Sequence, residues 1–275
     1  MSVVEQPTAR LEPPPRLRVR SRDFVGTALV GAGLITVFVL AWRGTGMSGS
    51  ALVAGWHGIV DFFDQAWPPD LSWSQVVQPA LQATKITLYT AFLGTVLSIP
   101  AALLLAVLGA RTTTPNTVVY QGARSVLSLL RAIPEIVFAL VFVTAVGLGP
   151  FPGVLALVFH NVGVMGKLWS EAIETVDDGP VDALRVAGAR RPQVVAHAVM
   201  PAVAPQFVGL LLYRFDVNVR ASLVLGLVGA GGIGFLINQS IKLFQFDVML
   251  TQILIVLVLV VVVDNVSAVL RRRVT

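Results

Sequence analysis

Residues 136–166 read IVFALVFVTAVGLGPFPGVLALVFHNVGVMG, a run of 31 residues without a charge. A bilayer core about 30 Å thick is crossed by roughly 20 apolar helical residues. The run is therefore too long for one upright span. Gly147, Gly149, Pro150, Pro152 and Gly153 punctuate it, and Gly and Pro end or kink helices. It predicts two crossings, near 125–147 and 153–170, joined outside.

The rest of the chain has the same character. Of 275 residues, 55% are hydrophobic and 13% charged, against about 25% charged in ordinary globular proteins; the mean hydropathy is +0.80. This excludes a disordered chain, a coiled coil and a conventional soluble enzyme, and leaves an integral membrane protein. There is no cysteine and only three histidines, His57, His160 and His197, so neither a disulfide framework nor a metal cage is expected. The net charge is +5, and seventeen of the twenty basic residues are arginines beside apolar runs. That pattern follows the positive-inside rule rather than a nucleic-acid surface.

Upstream, 24–42 is uncharged and follows Arg16, Arg18, Arg20 and Arg22. A signal peptide has a shorter apolar region, about 7–15 residues, and a small-residue cleavage site, so 24–42 reads as a retained first span. Residues 1–23 read as a cytoplasmic tail, with Pro7, Pro13, Pro14 and Pro15. Residues 43–78, rich in Gly, Ser and Trp, suit the outer face, with Trp56, Trp67 and Trp73 at headgroup level. A second span is uncharged over 86–110 and begins before Lys85. Downstream, a fifth span is predicted near 200–217 and a sixth near 247–269, closed by Arg271, Arg272 and Arg273. The reading is an all-α integral membrane protein of the bacterial cytoplasmic membrane, with six transmembrane helices and both termini cytoplasmic. Membrane lipid surrounds it. Lys167 and Lys242 read as snorkelling basics near the membrane surfaces.

Two stretches interrupt this pattern. Residues 171–201 are charged and lie in the cytoplasm by span count. Within them 181–187 has helix formers, Ala183, Leu184 and Ala187 fall on one face, and Gly188 is a plausible helix stop. The stretch reads either as a short helix that docks a cytoplasmic partner or as a solvated loop. Residues 218–246 are apolar but rich in glycine, including Gly226, Gly229, Gly231, Gly232 and Gly234. Broken backbone at membrane depth is tolerated when it is buried in protein or lines a cavity, which suggests a pathway or gate. Gly229 to Gly234 satisfies G-x-G-x-x-G, but no βαβ unit surrounds it, so no dinucleotide site follows.

The charged loop resembles the EAA loop of ABC-importer permeases. Asp182-Ala183-Leu184, Gly188, Ala198 and Met200-Pro201 keep its spacing, with Asp, Leu, Ala and Met as departures from the pattern. Residues from Tyr213 to Gly234 look like the signature of phosphonate-family permeases, and Arg131 to Glu135, Gly166-Lys167 and Glu171 to Glu174 are similar to that family too. The resemblance covers roughly 80–272, the permease core. It implies a type I ABC importer permease fold that works by alternating access. It also implies a homodimer, two ATPase subunits that carry ATP and Mg, an extracytoplasmic substrate-binding protein, and a phosphorus oxyanion (phosphonate, phosphite or phosphate) as substrate. Asp182, Ala183, Leu184, Arg185 and Gly188 would form the ATPase-coupling helix. The chain has no G-x-x-x-x-G-K-[ST] motif, so ATP hydrolysis by a P-loop is expected of the partner.

Ionisable residues inside a membrane are functional candidates. Arg220, near Asn218 and Ser222, is expected to line the anion path, because a guanidinium offers bidentate donors to a tetrahedral oxyanion. Arg214 joins this group, or simply pairs with Asp216 or snorkels. Arg131 and Glu135 flank Pro134 either as a gate pair or as a structural helix-end pair. His160 and Asn161 read as buried hydrogen-bonding residues. An ion-coupled secondary transporter for a small anion is the alternative; it too would have broken helices, usually with inverted repeats, and none is apparent. An intramembrane hydrolase lacks a spaced catalytic pair.

Overall fold

A computed structural model describes residues 21–274, and among these the regular structure is entirely helical. The chain divides into two units, residues 1–61 and 62–275. The first carries α1 (Ser21–Gly44) and most of α2 (Gly49–Ala66). Gly26–Gly44 is apolar enough to cross a membrane. The predicted tail lies mostly outside the described residues. Helix α2 stands inside the segment read as an outer loop.

In the second unit a π turn, Trp73–Val77, leads into α3 (Gln78–Leu108). Then follow α4 (Thr117–Ala132), α5 (Glu135–Val146), α6 (Pro150–Glu174), α7 (Asp178–Val186) and α8 (Arg191–Val194). A second π turn, Val195–Val199, joins α8 to α9 (Met200–Leu227), and α10 (Gly232–Lys242) and α11 (Phe246–Val274) complete the unit. Five described helical segments of the whole chain are long and apolar enough to span, and the bent pair α4–α5 makes up to six.

Helix α3 is the centre of the packing because its buried stripe is small: Ala83, Thr87, Ala91, Gly94, Thr95, Ser98 and Ala102 recur at helical spacing. In lipid, helices associate through close van der Waals approach rather than hydrophobic burial, so small residues mark the contacts. At Gly94 a β-carbon would lie 2.6 Å from Leu157 Cβ of α6. At one end of the bundle Trp169 of α6 stacks on Phe207 of α9, ring centroids 4.7 Å apart. At the other, the Gly149 amide donates to the Gly229 carbonyl at 2.9 Å. Twenty residues of α6 separate these levels, about 30 Å at about 1.5 Å per residue, which matches a hydrocarbon core.

Three segments differ from the sequence expectation. The third crossing, read as one span over 125–147, is two helices bent by 83°. Pro134 causes this: it has no N–H to donate and it pushes the preceding residue out of the helical region. Ile133 is extended at φ −89°, ψ 120°. The fifth span, read as 200–217, runs unbroken to Leu227, so the Gly-rich interruption shrinks to 228–231. The expected turn at 147–153 ends early, because Pro150 opens α6, a position where the missing N–H costs nothing.

Candidate functional site

The bend between α4 and α5 falls at membrane depth. It lies against Gly163, where a β-carbon would meet Arg131 N at 2.7 Å and Leu130 Cβ at 2.8 Å. His160 faces the bend, with Nδ1 3.2 Å from the carbonyl of Ile133, the extended residue between the two helices, and Nε2 3.5 Å from a Glu135 carboxylate oxygen. His160 is nine residues from Trp169, about 13.5 Å along the helix, so the bend sits near mid-membrane. A non-helical segment at that depth needs protein or a cavity around it.

One residue on, Asn161 is fully buried. Its Oδ1 accepts from Arg214 Nε at 3.0 Å and Nη2 at 2.7 Å, and its Nδ2 donates to the Gly94 carbonyl at 3.3 Å. Arg214 opens a polar seam on α9 with Asn218 and Ser222, spaced by four residues and hence on one face. Asn218 Nδ2 donates to Thr95 Oγ1 at 2.7 Å. The Ser222 hydroxyl donates to the Val219 carbonyl at 2.8 Å and lies 3.3 Å from that of Thr87. Asn218 Oδ1 is buried with no partner among the described residues. Arg214 is thus a buried cation bound to a neutral amide, with no ion pair among the described residues.

A second face of α9 carries Asp216 and Arg220. Arg220 Nη2 donates to Asp216 Oδ2 at 2.5 Å and to Asp264 Oδ1 of α11 at 2.7 Å. This triad holds one positive and two negative charges. Arg220 and Asp264 are half-exposed, whereas Asp216 is buried. Arg214 therefore does not pair with Asp216; their partners lie on different helices.

The expected gate residues form two groups rather than one. Gly229 (φ 99°) and Gly231 (φ 73°) sit in the turn between α9 and α10, where the 147–150 turn packs; a β-carbon on Gly231 would meet Pro150 at 3.1 Å. Gly232 and Gly234 open α10, whose Ile233 amide donates to Thr87 Oγ1 at 3.0 Å. Arg131 and Glu135 flank the bend, far along α6 from this turn. The sequence left open a gate pair between them; Glu135 is instead partnered by His160.

At the arginine-bearing end, Glu174 accepts from the Arg111 amide at 2.8 Å and pairs with Arg124 at 2.9 Å. Helix α7 projects between α6 and α9. Its buried side is Val181 with Leu184 packed beside it. Ala183 and Ala187, expected to share a face with Leu184, are exposed, as is Val186 at 90%. Gly188 takes φ 83°, and the Ala189 amide reaches back to the Leu184 carbonyl at 3.0 Å, the six-residue closure that favours glycine at a helix stop. Asp182 and Arg185 pair at 3.0 Å on the surface.

A short helix held out between two spans, beside a bundle with a mid-membrane break, is a transporter's architecture, and comparison with known proteins resolves which. A family model described as binding-protein-dependent transport system inner membrane component matches residues 94–275. The chain belongs to this family. It is 40% identical over 238 residues to the phosphite transport system permease protein PtxC of Stutzerimonas stutzeri, covering 86% of this chain and 85% of that protein. It is 38% identical over 223 residues to the phosphate-import permease protein PhnE of Mycolicibacterium smegmatis, covering 81% of this chain and 41% of that one. In fold it resembles the inward-facing MetNI methionine ABC transporter, with TM-score 0.59 and 23% identity over 73% of this chain and 96% of that one. A bacterial alginate ABC transporter gives TM-score 0.62 and 16% identity over 93% and 97%. This permease is a membrane-spanning transport subunit with the type I ABC importer fold. Sequence reasoning about it passed over Asp264, although a lone acidic residue between Asp247 and Arg271 in an apolar run is itself a signal. Thr87 and Thr95 gave no such signal, since threonine is common in spans.

Proposed function

We propose that this permease carries a phosphorus oxyanion (phosphite, phosphonate or phosphate) into the cytoplasm, driven by a partner ATPase. The observation that carries the ATP-driven part is α7, an exposed helix between α6 and α9 in a chain of this family. Its outward residues Asp182, Ala183 and Val186 are offered to an ATPase, while Val181 and Leu184 root it in the bundle. The ATPase would supply ATP and Mg, since the chain has no P-loop. The substrate class is carried over from relatives named for phosphite and phosphate. An extracytoplasmic binding protein would deliver the anion, and two copies of the chain would form the pathway, with termini on the arginine-rich side.

Within this reading the passing anion meets the bend. Arg214 supplies a positive charge there with no carboxylate in ion-pair contact among the described residues, and His160 sits between the Ile133 carbonyl and Glu135 beside it. Arg220 shares its charge with two carboxylates, so it serves an anion only when that clamp loosens. Gly229 and Gly231 form the turn at the opposite end, where small residues let the chain fold against 147–150. Two measurements test the proposal. An ATPase should copurify with the tagged chain, and labelled phosphate uptake should depend on the chain and be blocked by unlabelled phosphite or methylphosphonate. Absence of the ATPase would overturn the importer reading. Uptake indifferent to the chain would overturn the substrate class.

A further inference from the structure

A cavity of about 330 Å³ opens at the arginine-bearing end, behind α7. Small-ligand sites typically span about 300–1,000 Å³, and a water occupies about 30 Å³. Arg111 from the α3–α4 turn, Arg185 from α7 and Arg191 from α8 all line it, with Thr112 beside them and Val181 among its apolar wall. Among the described residues Asp178 is the only acidic one in the lining, which thus carries three positive charges against one negative, while Asp182 outside the lining pairs with Arg185. Each guanidinium presents five N–H donors in a planar fork. The protein engages few of them. Arg111 uses Nε on the Tyr120 hydroxyl at 3.1 Å. Arg185 uses Nη1 on Asp182 at 3.0 Å. Arg191 uses Nη1 on the Pro115 carbonyl at 3.0 Å and that of Thr114 at 3.4 Å. The remaining N–H groups have no hydrogen-bond partner among the described residues, and the Arg111 guanidinium also lies over the Tyr120 ring, 5.6 Å from its centroid. The Tyr120 hydroxyl and the nearby Glu174 hold the Arg111 guanidinium above its ordinary range.

Three arginines from three separate elements, converging on one cavity beside a hydroxyl, form the donor set that suits a tetrahedral phosphorus oxyanion, because guanidinium forks bind phosphate oxygens bidentately. We propose that this cavity binds a phosphate group on the cytoplasmic side, either free inorganic phosphate or the headgroup of an anionic lipid. Bound there, the anion bridges α7 to the α3–α4 turn and to α8, and so restrains the helix offered to the ATPase. The site is separate from the mid-membrane bend, and its occupancy does not depend on what the chain transports.

The test uses the full-length chain purified in detergent and treated with phenylglyoxal, which modifies accessible guanidinium groups, with the modified arginines read by mass spectrometry. Millimolar inorganic phosphate is expected to slow modification of Arg111, Arg185 and Arg191 together by threefold or more, leaving Arg272 and Arg273 unchanged. In Arg191→Gln, and separately in Arg111→Gln, protection of the two remaining arginines should disappear. Protection absent with phosphate but present in nanodiscs of phosphatidylglycerol, relative to phosphatidylcholine, would assign the site to a lipid headgroup. Protection in neither condition, or equal protection of Arg272 and Arg273, would overturn the proposal. Since the readout involves no uptake, it stands apart from failure of the transport reading.

Discussion

Gly163→Ala is the most direct probe of the bend. Its β-carbon would be placed 2.7 Å from Arg131 N, 2.8 Å from Leu130 Cβ and 2.9 Å from the Leu130 carbonyl carbon. An ordinary approach is about 3.5 Å or more, so the last turn of α4 must retreat by roughly 0.6–0.8 Å. Two of these neighbours are backbone atoms, which cannot swing aside as a side-chain tip can. Overpacking of this kind costs about 1–3 kcal/mol, and a chain of this size loses about 2–4 °C in Tm per kcal/mol. The expected fall is therefore about 2–12 °C in a thermal melt of the purified transporter. Because the displaced turn leads straight into Ile133 and Pro134, labelled phosphate uptake per folded molecule should fall as well. Gly122→Ala, in α4 itself, is the control: nothing lies within 4 Å of its β-carbon, and the gain in helix propensity is worth up to about 1 kcal/mol. It should melt at the same temperature or higher, with uptake unchanged. If Gly163→Ala matched Gly122→Ala in both assays, the tight approach of α4 to α6 would be refuted, and with it the placement of the bend.

Asn161→Ala leaves the Arg214 guanidinium buried without its acceptor, a loss of about 1–3 kcal/mol or more for a charged group; it should lower the melt more than Arg214→Met, which also removes a charge worth about 2.5–3.5 kcal/mol from the membrane interior. Both variants should lose uptake at least tenfold, and a fully active Arg214→Met would remove that residue from the path. Val186→Asp changes an exposed position, so the melt should stay within about 0.5 kcal/mol of wild type while ATPase copurification drops. Arg220→Ala leaves Asp216 and Asp264 facing each other uncompensated and should lower yield and Tm, with Asp264→Asn in the same chain restoring both. Unchanged uptake affinity in that restored variant would show that Arg220 does not meet the anion.

Sequence alone determined the class of molecule and most of its helices, because crossing a bilayer demands long uncharged runs and basic flanks, both local properties of the chain. It also marked α7 and its stop, since Gly188 is needed wherever the backbone turns left-handed after a helix. The tertiary structure decided what the polar residues do. Which of Arg214 and Arg220 meets a carboxylate depends on the facing of α9 against α6 and α11, and Asn161 and Asp264 lie 53 and 44 residues away in the chain. The sequence alone carries the third span through Pro134 as one crossing, whereas the structure breaks it there by 83°. That the break sits at mid-membrane against Gly163, with His160 beside the Ile133 carbonyl, follows from how closely α4 and α6 approach, and no local pattern encodes that distance. The buried face of α7 was misjudged for the same reason: several stripes of a short helix are apolar enough to pack, and the bundle beneath it, Val194, Val199 and Val203 among others, chose Val181 and Leu184.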